Sequence, residues 1–114
     1  MTIRQFIELT GSKLMTPGID TEREISCGYT CDLLSWVMAH GAAGMCWITV
    51  QTHLNVVAVA TLMDMAAVVA PEGIAFEENV IEKAAEEGVA LLQSDRTAYQ
   101  LCGLMHAAGV PDRR

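Results

Sequence analysis

The sequence has no excess of positive charge. Its 7 Lys and Arg residues are outnumbered by 14 Asp and Glu residues, which gives a formal net charge of −7. Nucleic-acid-binding proteins attract backbone phosphates with basic surfaces. The acidity therefore argues against DNA or RNA as a partner and is typical of a solvated surface that keeps a protein soluble.

The sequence also lacks a long apolar run. Its most apolar stretch, residues 54–70, is interrupted by Asn55, Thr61 and Asp64, whereas a membrane-spanning helix needs about 20 predominantly apolar residues. No apolar segment follows Arg4, so the N-terminus does not resemble a secretory signal peptide. We therefore expect a cytoplasmic protein without a membrane partner, whose thiols stay reduced.

Motifs for nucleotide hydrolysis, dinucleotide binding and metal binding are missing as well. The "GSK" segment at 11–13 lacks the Gly-Lys-Ser/Thr order and the upstream glycine of a P-loop, and there is no Gly-x-Gly-x-x-Gly loop. Cys27 and Cys31 are separated by three residues rather than two, and the histidines are scattered. We expect no catalytic residue, metal or cofactor, while a role of Cys27 and Cys31 beyond packing stays open.

Apolar patterns of two periods alternate along the chain. Helical spacing predicts helices over 2–9, 31–41, 53–65, 77–87 and 97–108, and short apolar runs predict strands over 13–16, 24–29, 45–50, 66–70 and 89–93. At 114 residues we expect residues 1–114 to form a single domain. The alternation predicts a three-layer α/β/α fold with a mostly parallel sheet of four to five strands, with right-handed crossovers placing helices on both faces.

Details of the helices follow from their end residues and apolar faces. Thr2 and Gln5 form a Thr-x-x-Gln capping box for the first helix. Thr30 or Asp32 can cap the second helix, whose expected core face comprises Leu33, Leu34, Trp36 and Val37. The helix at 53–65 is apolar nearly all round, which favours a second contact surface. A two-fold homodimer through this helix or its neighbour explains that pattern, and close packing within the chain is the alternative.

Polar residues gather where predicted strands end. The stretch "WITVQTHLNVVAVA" at 47–60 places Gln51, Thr52, His53 and Asn55 between two apolar runs. Capping a helix needs one side chain, so this cluster is open to two interpretations: capping, or contact with a ligand. Helix N–H groups beside amide and imidazole side chains form an anion pocket.

The ends of parallel strands share one edge of a sheet, where ligands of open α/β folds bind. We therefore expect a ligand-binding site there, formed by Gln51, Thr52, His53 and Asn55, with Tyr29, Ser94 and Thr97 lining its other side. An enzyme would need His53 to lie beside a nucleophile such as Cys27 or Ser94.

The segments "DLLSWVM", "WITVQTHLN" and "PEG" resemble the DRTGG-domain family, and the similarity extends over most of the chain. The name-giving motif is incomplete, because "DRTAY" at 95–99 lacks the two glycines. Small stand-alone members of this family are similar to the N-terminal domain of HPr kinase/phosphorylase and lie beside iron-only hydrogenase subunits. The resemblance implies that α/β fold without the P-loop catalytic domain, in company with CBS pairs, and a hydrogenase-associated partner.

Together these observations favour a non-catalytic regulatory or sensing module, a homodimer that binds a small anionic metabolite or nucleotide. The alternative is a protein–protein docking module without a small-molecule ligand, in which the apolar helix at 53–65 is the docking surface.

Overall fold

The computed structural model of the protein describes residues 1–113, and within that range the chain forms five helices and five strands. The helices are α1 (Ile3–Thr10), α2 (Leu34–His40), α3 (Leu54–Leu62), α4 (Glu78–Glu87) and α5 (Ala98–Ala107). The strands are β1 (Lys13–Leu14), β2 (Cys27–Thr30), β3 (Met45–Ile48), β4 (Ala67–Ala70) and β5 (Ala90–Gln93).

The strands form one sheet in the order β1-β5-β4-β3-β2. Strands β2 to β5 run parallel to one another, and the short β1 lies antiparallel against β5. The predicted three-layer α/β/α fold with a mostly parallel sheet is therefore confirmed. The prediction for β2 is wrong at its start, because Ile25 donates its backbone N–H to the Met1 carbonyl and Glu24 bridges to Thr2 instead of joining the sheet.

The three crossover helices lie together on one face of the sheet. Helices α2, α3 and α4 each connect a strand to its immediate neighbour, and the three connections advance across the sheet in the same direction. Right-handed crossovers in one direction place their helices on one side. Helices α1 and α5 cover the other face, so helices lie on both faces as predicted. The predicted cause is wrong, because the crossover helices cover only one of the two faces.

Both faces of the central strands are buried. Every residue of β3 and β4 is inaccessible to solvent, as expected for parallel strands between two helical layers. On one face Trp47 and Leu91 pack against α2, α3 and α4, and on the other Ile48 and Leu92 pack against α1 and α5. The sheet therefore divides the protein into two hydrophobic cores.

The helix ends agree with the sequence at α1 and disagree at α2. Thr2 and Gln5 form the predicted reciprocal capping box of α1. Helix α2 begins after Leu33, which provides no side-chain cap, so neither Thr30 nor Asp32 caps it as predicted. The predicted core face of α2 is confirmed at Val37, which is fully buried, and in part at Leu34, which is half-buried against the core. It is wrong at Leu33 and Trp36, which are 60% and 50% exposed.

Each edge of the sheet carries a short paired segment. At one edge, β1 pairs with β5 over only two residues. At the other, the backbone N–H of Gly28 donates to the Pro111 carbonyl at 2.8 Å, and Gly28 forms a parallel bridge with Asp112. Residues after α5 thus return along the outer side of β2.

Gly44 is the tightest turn position in the loop between α2 and β3. Its φ of +75° lies in the left-handed region, and its carbonyl accepts a hydrogen bond from the Ser26 backbone N–H. A Cβ at this position would lie 2.5 Å from the Ser26 Oγ, which itself donates to the Ala43 carbonyl. Gly11 has a similar φ of +70°, but a Cβ added there would meet no other atom within 4 Å.

We expect Gly44→Ala to destabilise the protein more than Gly11→Ala. Both changes place alanine in a left-handed conformation, which costs about 1–2 kcal/mol, and only Gly44→Ala adds a steric overlap with Ser26. Chemical denaturation of the two variants measures the difference directly. Equal losses of unfolding free energy would show that the Ser26 contact does not constrain this turn.

Candidate functional site

The carboxyl ends of β2, β3, β4 and β5 lie at one edge of the sheet because these strands are parallel. The loops that follow them therefore share this edge, as the sequence suggested. The side chains of these loops do not form one site. They divide into an open cavity between two helices, a second cavity beside β2, and a set of groups that the fold uses internally.

The open cavity lies between the first turns of α3 and α4 and has a volume of about 420 Å³. We call it the α3–α4 cavity. Its lining residues are Thr52, His53, Leu54, Asn55, Glu77, Asn79 and Val80. It thus contains three of the seven predicted site residues, namely Thr52, His53 and Asn55.

Four polar side chains of the α3–α4 cavity make no hydrogen bonds within the described part of the protein. Those of Thr52, His53, Asn55 and Asn79 make no hydrogen bond to any group in residues 1–113. His53 occupies the N-cap position of α3, yet its side chain makes no capping hydrogen bond. Of the two interpretations of this cluster, helix capping is therefore wrong, because His53 holds the N-cap position without a side-chain capping bond.

Two helix N-termini adjoin the cavity with unpaired backbone donors. The N–H groups of Leu54 and Asn55 in α3, and of Glu78 and Asn79 in α4, have no acceptor within the described chain. Such N–H groups and the positive ends of the helix dipoles attract anions and hydrogen-bond acceptors. The Glu77 carboxylate also lines the cavity and opposes an anion there.

Gln51 belongs to a clamp between two loops rather than to the cavity. The Asp32 carboxylate accepts hydrogen bonds from the Thr49 hydroxyl at 2.8 Å and the Val50 backbone N–H at 3.0 Å. The Gln51 side chain donates to the Asp32 carbonyl at 3.1 Å. Asp32 therefore fixes the loop after β3 instead of capping α2, and Gln51 positions the chain just before Thr52.

Tyr29 faces a different cavity of about 340 Å³ beside β2, which we call the β2–α5 cavity. It is lined by residues 28–30 of β2 and by residues of α5 and the following segment, including Cys102, Met105 and His106. The Arg113 guanidinium lies 5.5 Å from the centre of the Tyr29 ring. Tyr29 is not among the residues that line the α3–α4 cavity.

Ser94 and Thr97 serve the loop after β5. Ser94 is buried, and its hydroxyl accepts the Arg96 backbone N–H. The Thr97 hydroxyl accepts the Gln100 N–H while the Gln100 side chain accepts the Thr97 N–H, a capping box for α5. Neither residue lines the α3–α4 cavity. The Thr-x-x-Gln spacing at 97–100 matches that at 2–5, so the sequence contained the signal for this capping role.

The partial motif Asp-Arg-Thr at 95–97 also lies in this structural loop. The Arg96 carbonyl accepts the Glu72 backbone N–H at 2.8 Å, and the Arg96 side chain donates to the Thr10 carbonyl at 2.9 Å. Glu72 adopts a positive φ of 59°, followed by Gly73 at 72°. These contacts join the loops after β4 and β5 and the end of α1.

Glu77 and Asn79 are the polar cavity residues that sequence reasoning missed. Glu77 is the N-cap residue of α4, and Asn79 follows it in the first turn of that helix. Their place beside Thr52 and His53 follows from the adjacency of β3, β4 and β5, since α3 and α4 begin at the same sheet edge. The alternation of strands could have indicated that neighbourhood, but no local motif does.

Neither of the two nucleophiles named from the sequence, Cys27 and Ser94, lies beside His53. Cys27 is the first residue of β2 and pairs with Met45 at the start of β3, whereas His53 follows the other end of β3. Ser94 is not in the cavity. Among residues 1–113 there is also no group of three His, Cys, Asp or Glu side chains placed to hold a metal ion.

Cys46 and Cys102, which lie on the side of the sheet covered by α1 and α5, favour the protonated thiol form. Burial, and to a smaller extent the nearby Cys102 and Cys27, raises the pKa of Cys46 well above its ordinary value. Burial also raises the pKa of the half-buried Cys102. Because the thiolate is the nucleophile, these shifts disfavour reaction at both residues.

No protein-family model and no curated protein matches the sequence. The chain is similar to a solved structure of the CBS and DRTGG domains of the regulatory region of Clostridium perfringens pyrophosphatase, complexed with the activator diadenosine tetraphosphate. The TM-score is 0.75 at 10% sequence identity, over 91% of this chain and 45% of that chain. This chain therefore spans less than half of that structure. The similarity supports a DRTGG-like fold.

None of the helices in residues 1–113 is long and apolar enough to cross a membrane.

We expect iodoacetamide to discriminate among the four thiols of the folded protein. At pH 8, Cys46 stays unlabelled and Cys102 reacts more slowly than it does in the urea-unfolded chain. A raised pKa leaves less thiolate at a given pH, so labelling of Cys102 continues to accelerate above the ordinary thiol pKa of about 8.5. Peptide mass spectrometry gives the rates. Labelling of Cys46 as fast as in urea would contradict its burial.

Proposed function

We propose that this chain is a non-catalytic regulatory module that binds a small anionic metabolite or nucleotide in the α3–α4 cavity and acts as a homodimer. The observation that carries the proposal is the set of polar groups around that cavity that the fold itself does not use. His53, Asn55 and Asn79 are exposed, so water can satisfy these groups until a ligand displaces it. A ligand that accepts hydrogen bonds satisfies the helix N–H groups and the side chains of His53, Asn55 and Asn79 together.

The similarity of the fold to a regulatory region supports the same proposal. That structure holds a nucleotide activator, diadenosine tetraphosphate. We propose that residues 1–114 form a single DRTGG-like domain in the cytoplasm, related to the N-terminal domain of HPr kinase/phosphorylase. The site residues of the proposal are Thr52, His53, Asn55 and Asn79, with Gln51 positioning the loop through Asp32.

The charges around the cavity define which ligand it accepts. His53 is the one basic side chain in its lining, and Glu77 contributes a negative charge. A ligand with a single phosphate or carboxylate group at the helix N-termini and a neutral polar remainder suits this distribution better than a polyphosphate. An adenosine monophosphate fits that description, with its base and ribose available to the two Asn side chains.

We expect adenosine monophosphate to bind the protein and His53→Ala to weaken that binding about tenfold or more. Hydrogen bonds to charged groups contribute about 1.5–3 kcal/mol, and 1.4 kcal/mol is tenfold in affinity. Calorimetric titration measures the dissociation constants. In a thermal-shift assay, a ligand at 100 times its dissociation constant adds about 2.7 kcal/mol.

Two further variants sharpen this measurement. His106→Ala is the matched control, because His106 is exposed and lies in the β2–α5 cavity instead. Glu77→Gln should tighten binding, since it removes a negative charge from the α3–α4 cavity. Binding that His53→Ala leaves intact while His106→Ala abolishes it would move the site to the β2–α5 cavity. Silence from adenosine mono- and polyphosphates alike would contradict the nucleotide proposal.

The alternative function is protein docking without a small-molecule ligand, for example with the hydrogenase-associated partner that the sequence resemblance implies. The observation in its favour is the exposed apolar surface of α2 and α3, where Leu33, Trp36 and Leu62 are at least half exposed. This alternative requires a monomer that leaves that surface free. A dimer that binds a nucleotide is incompatible with it.

A further inference from the structure

Exposed large apolar side chains are concentrated on two neighbouring helices and the loops leading into them. Residues 1–113 contain seven large hydrophobic residues that are exposed, and Tyr99 on α5 is the one that lies elsewhere. The other six lie on α2, on α3 or in the loops leading into them: Leu33, Trp36, Met38, Val50, Leu54 and Leu62. We call this surface the α2–α3 face. Single exposed hydrophobic residues are ordinary, whereas adjoining ones mark an interaction surface, and Met38 and Leu62 line one common groove of this face.

The α2–α3 face has the ridge and groove with which helices pack against one another. Leu54, Ala58 and Leu62 follow one another at intervals of four residues and form a ridge along α3. A groove of about 360 Å³ runs between this ridge and α2, where it is bordered by Leu34 and Met38. The face therefore carries both a ridge and an adjacent, mainly apolar groove, whose lining also includes Ser35 and Asn55.

The distribution of charge distinguishes this groove from its counterpart on the other side of α3. Neither α2 nor α3 contains an Asp, Glu, Lys or Arg residue. The groove between α3 and α4 is bordered instead by Lys83 and Glu87, which form an ion pair at 3.1 Å. A chain with a net charge of −7 repels its own copies over most of its surface. Contact between two copies through the side chains of α2 and α3 therefore buries no like charges.

We infer that a second copy of this chain docks on the α2–α3 face, with the α3 ridge of each copy in the α2/α3 groove of the other. The inference rests on the homodimer of the proposed function and assigns its surface. A two-fold axis makes each contact twice from one ridge and one groove, so no other surface is required. Ridges of i, i+4 residues pack at crossing angles near 50° and axial distances of about 8–10 Å. Ala58, the smallest residue of the ridge, lies at the crossing.

Two variants that introduce the same residue test this surface. We expect Leu62→Glu to raise the dimer dissociation constant about a hundredfold or more, because the axis buries the new carboxylate twice. Tyr99→Glu is the control: Tyr99 is 88% exposed and Leu62 is 68% exposed, but Tyr99 lies outside the face. Sedimentation equilibrium gives the constants, and circular dichroism verifies that both variants are folded.

The outcomes separate this inference from the proposals it rests on. Dissociation by Leu62→Glu and not by Tyr99→Glu supports the face. A dimer that resists Leu62→Glu overturns the assignment and leaves the homodimer standing, and a monomeric unmodified protein at 100 μM overturns both. Nucleotide binding by each variant is titrated separately, so the ligand proposal stands or fails on its own measurement.

Cross-linking tests the arrangement in a second way that does not depend on disrupting the interface. Under mild oxidation, we expect Ala58→Cys to form a disulfide-linked dimer, because the crossing brings the two Ala58 positions together. Ala107→Cys introduces the same thiol at an exposed position on α5 and should yield only the background of the unmodified protein. Equal cross-linking of the two variants would overturn the proposed ridge and groove.

Discussion

Parallel pairing of four consecutive strands in chain order is the constraint on which the rest of the structure depends. Each of β2, β3, β4 and β5 lies beside the strand that precedes or follows it in this series, so every right-handed crossover falls on the same face. The helices of that face begin at one edge of the sheet. The strand order therefore brings the N-termini of α3 and α4 side by side without any long-range motif.

Polar groups at that edge have two different uses. Asp32, Thr49 and Gln51 are hydrogen-bonded to one another or to nearby backbone, and Ser94 and Thr97 bond within their own loop. These groups hold the loops in place and have little left to offer a ligand. The polar side chains around the α3–α4 cavity make no such hydrogen bonds. Residues of the same type therefore hold a loop in place at one position and stay available to a ligand a few positions away.

The sequence was sufficient for the architecture and for part of the lining of the candidate cavity. Alternating apolar periods predicted the layers, and Thr2 with Gln5 predicted the start of α1. The face of α2 was mispredicted because Leu33 and Trp36 have the spacing of core residues. Apolar spacing reports which residues avoid water, and an interface satisfies that requirement as well as a core does. Of the seven predicted site residues, only Thr52, His53 and Asn55 share the α3–α4 cavity. A hydroxyl such as Ser94 gives no sign in the sequence that its own loop uses it.

Pairing of Pro111 and Asp112 with Gly28 protects the outer edge of β2 from association with other chains. An open edge strand is a template on which another chain can add a strand, and successive additions lead to fibrils. Residues 110–112 run along β2 and engage the Gly28 N–H, while β1 covers β5 with two residues at the opposite edge. The addition of a strand from another chain is thereby obstructed at both edges of the sheet.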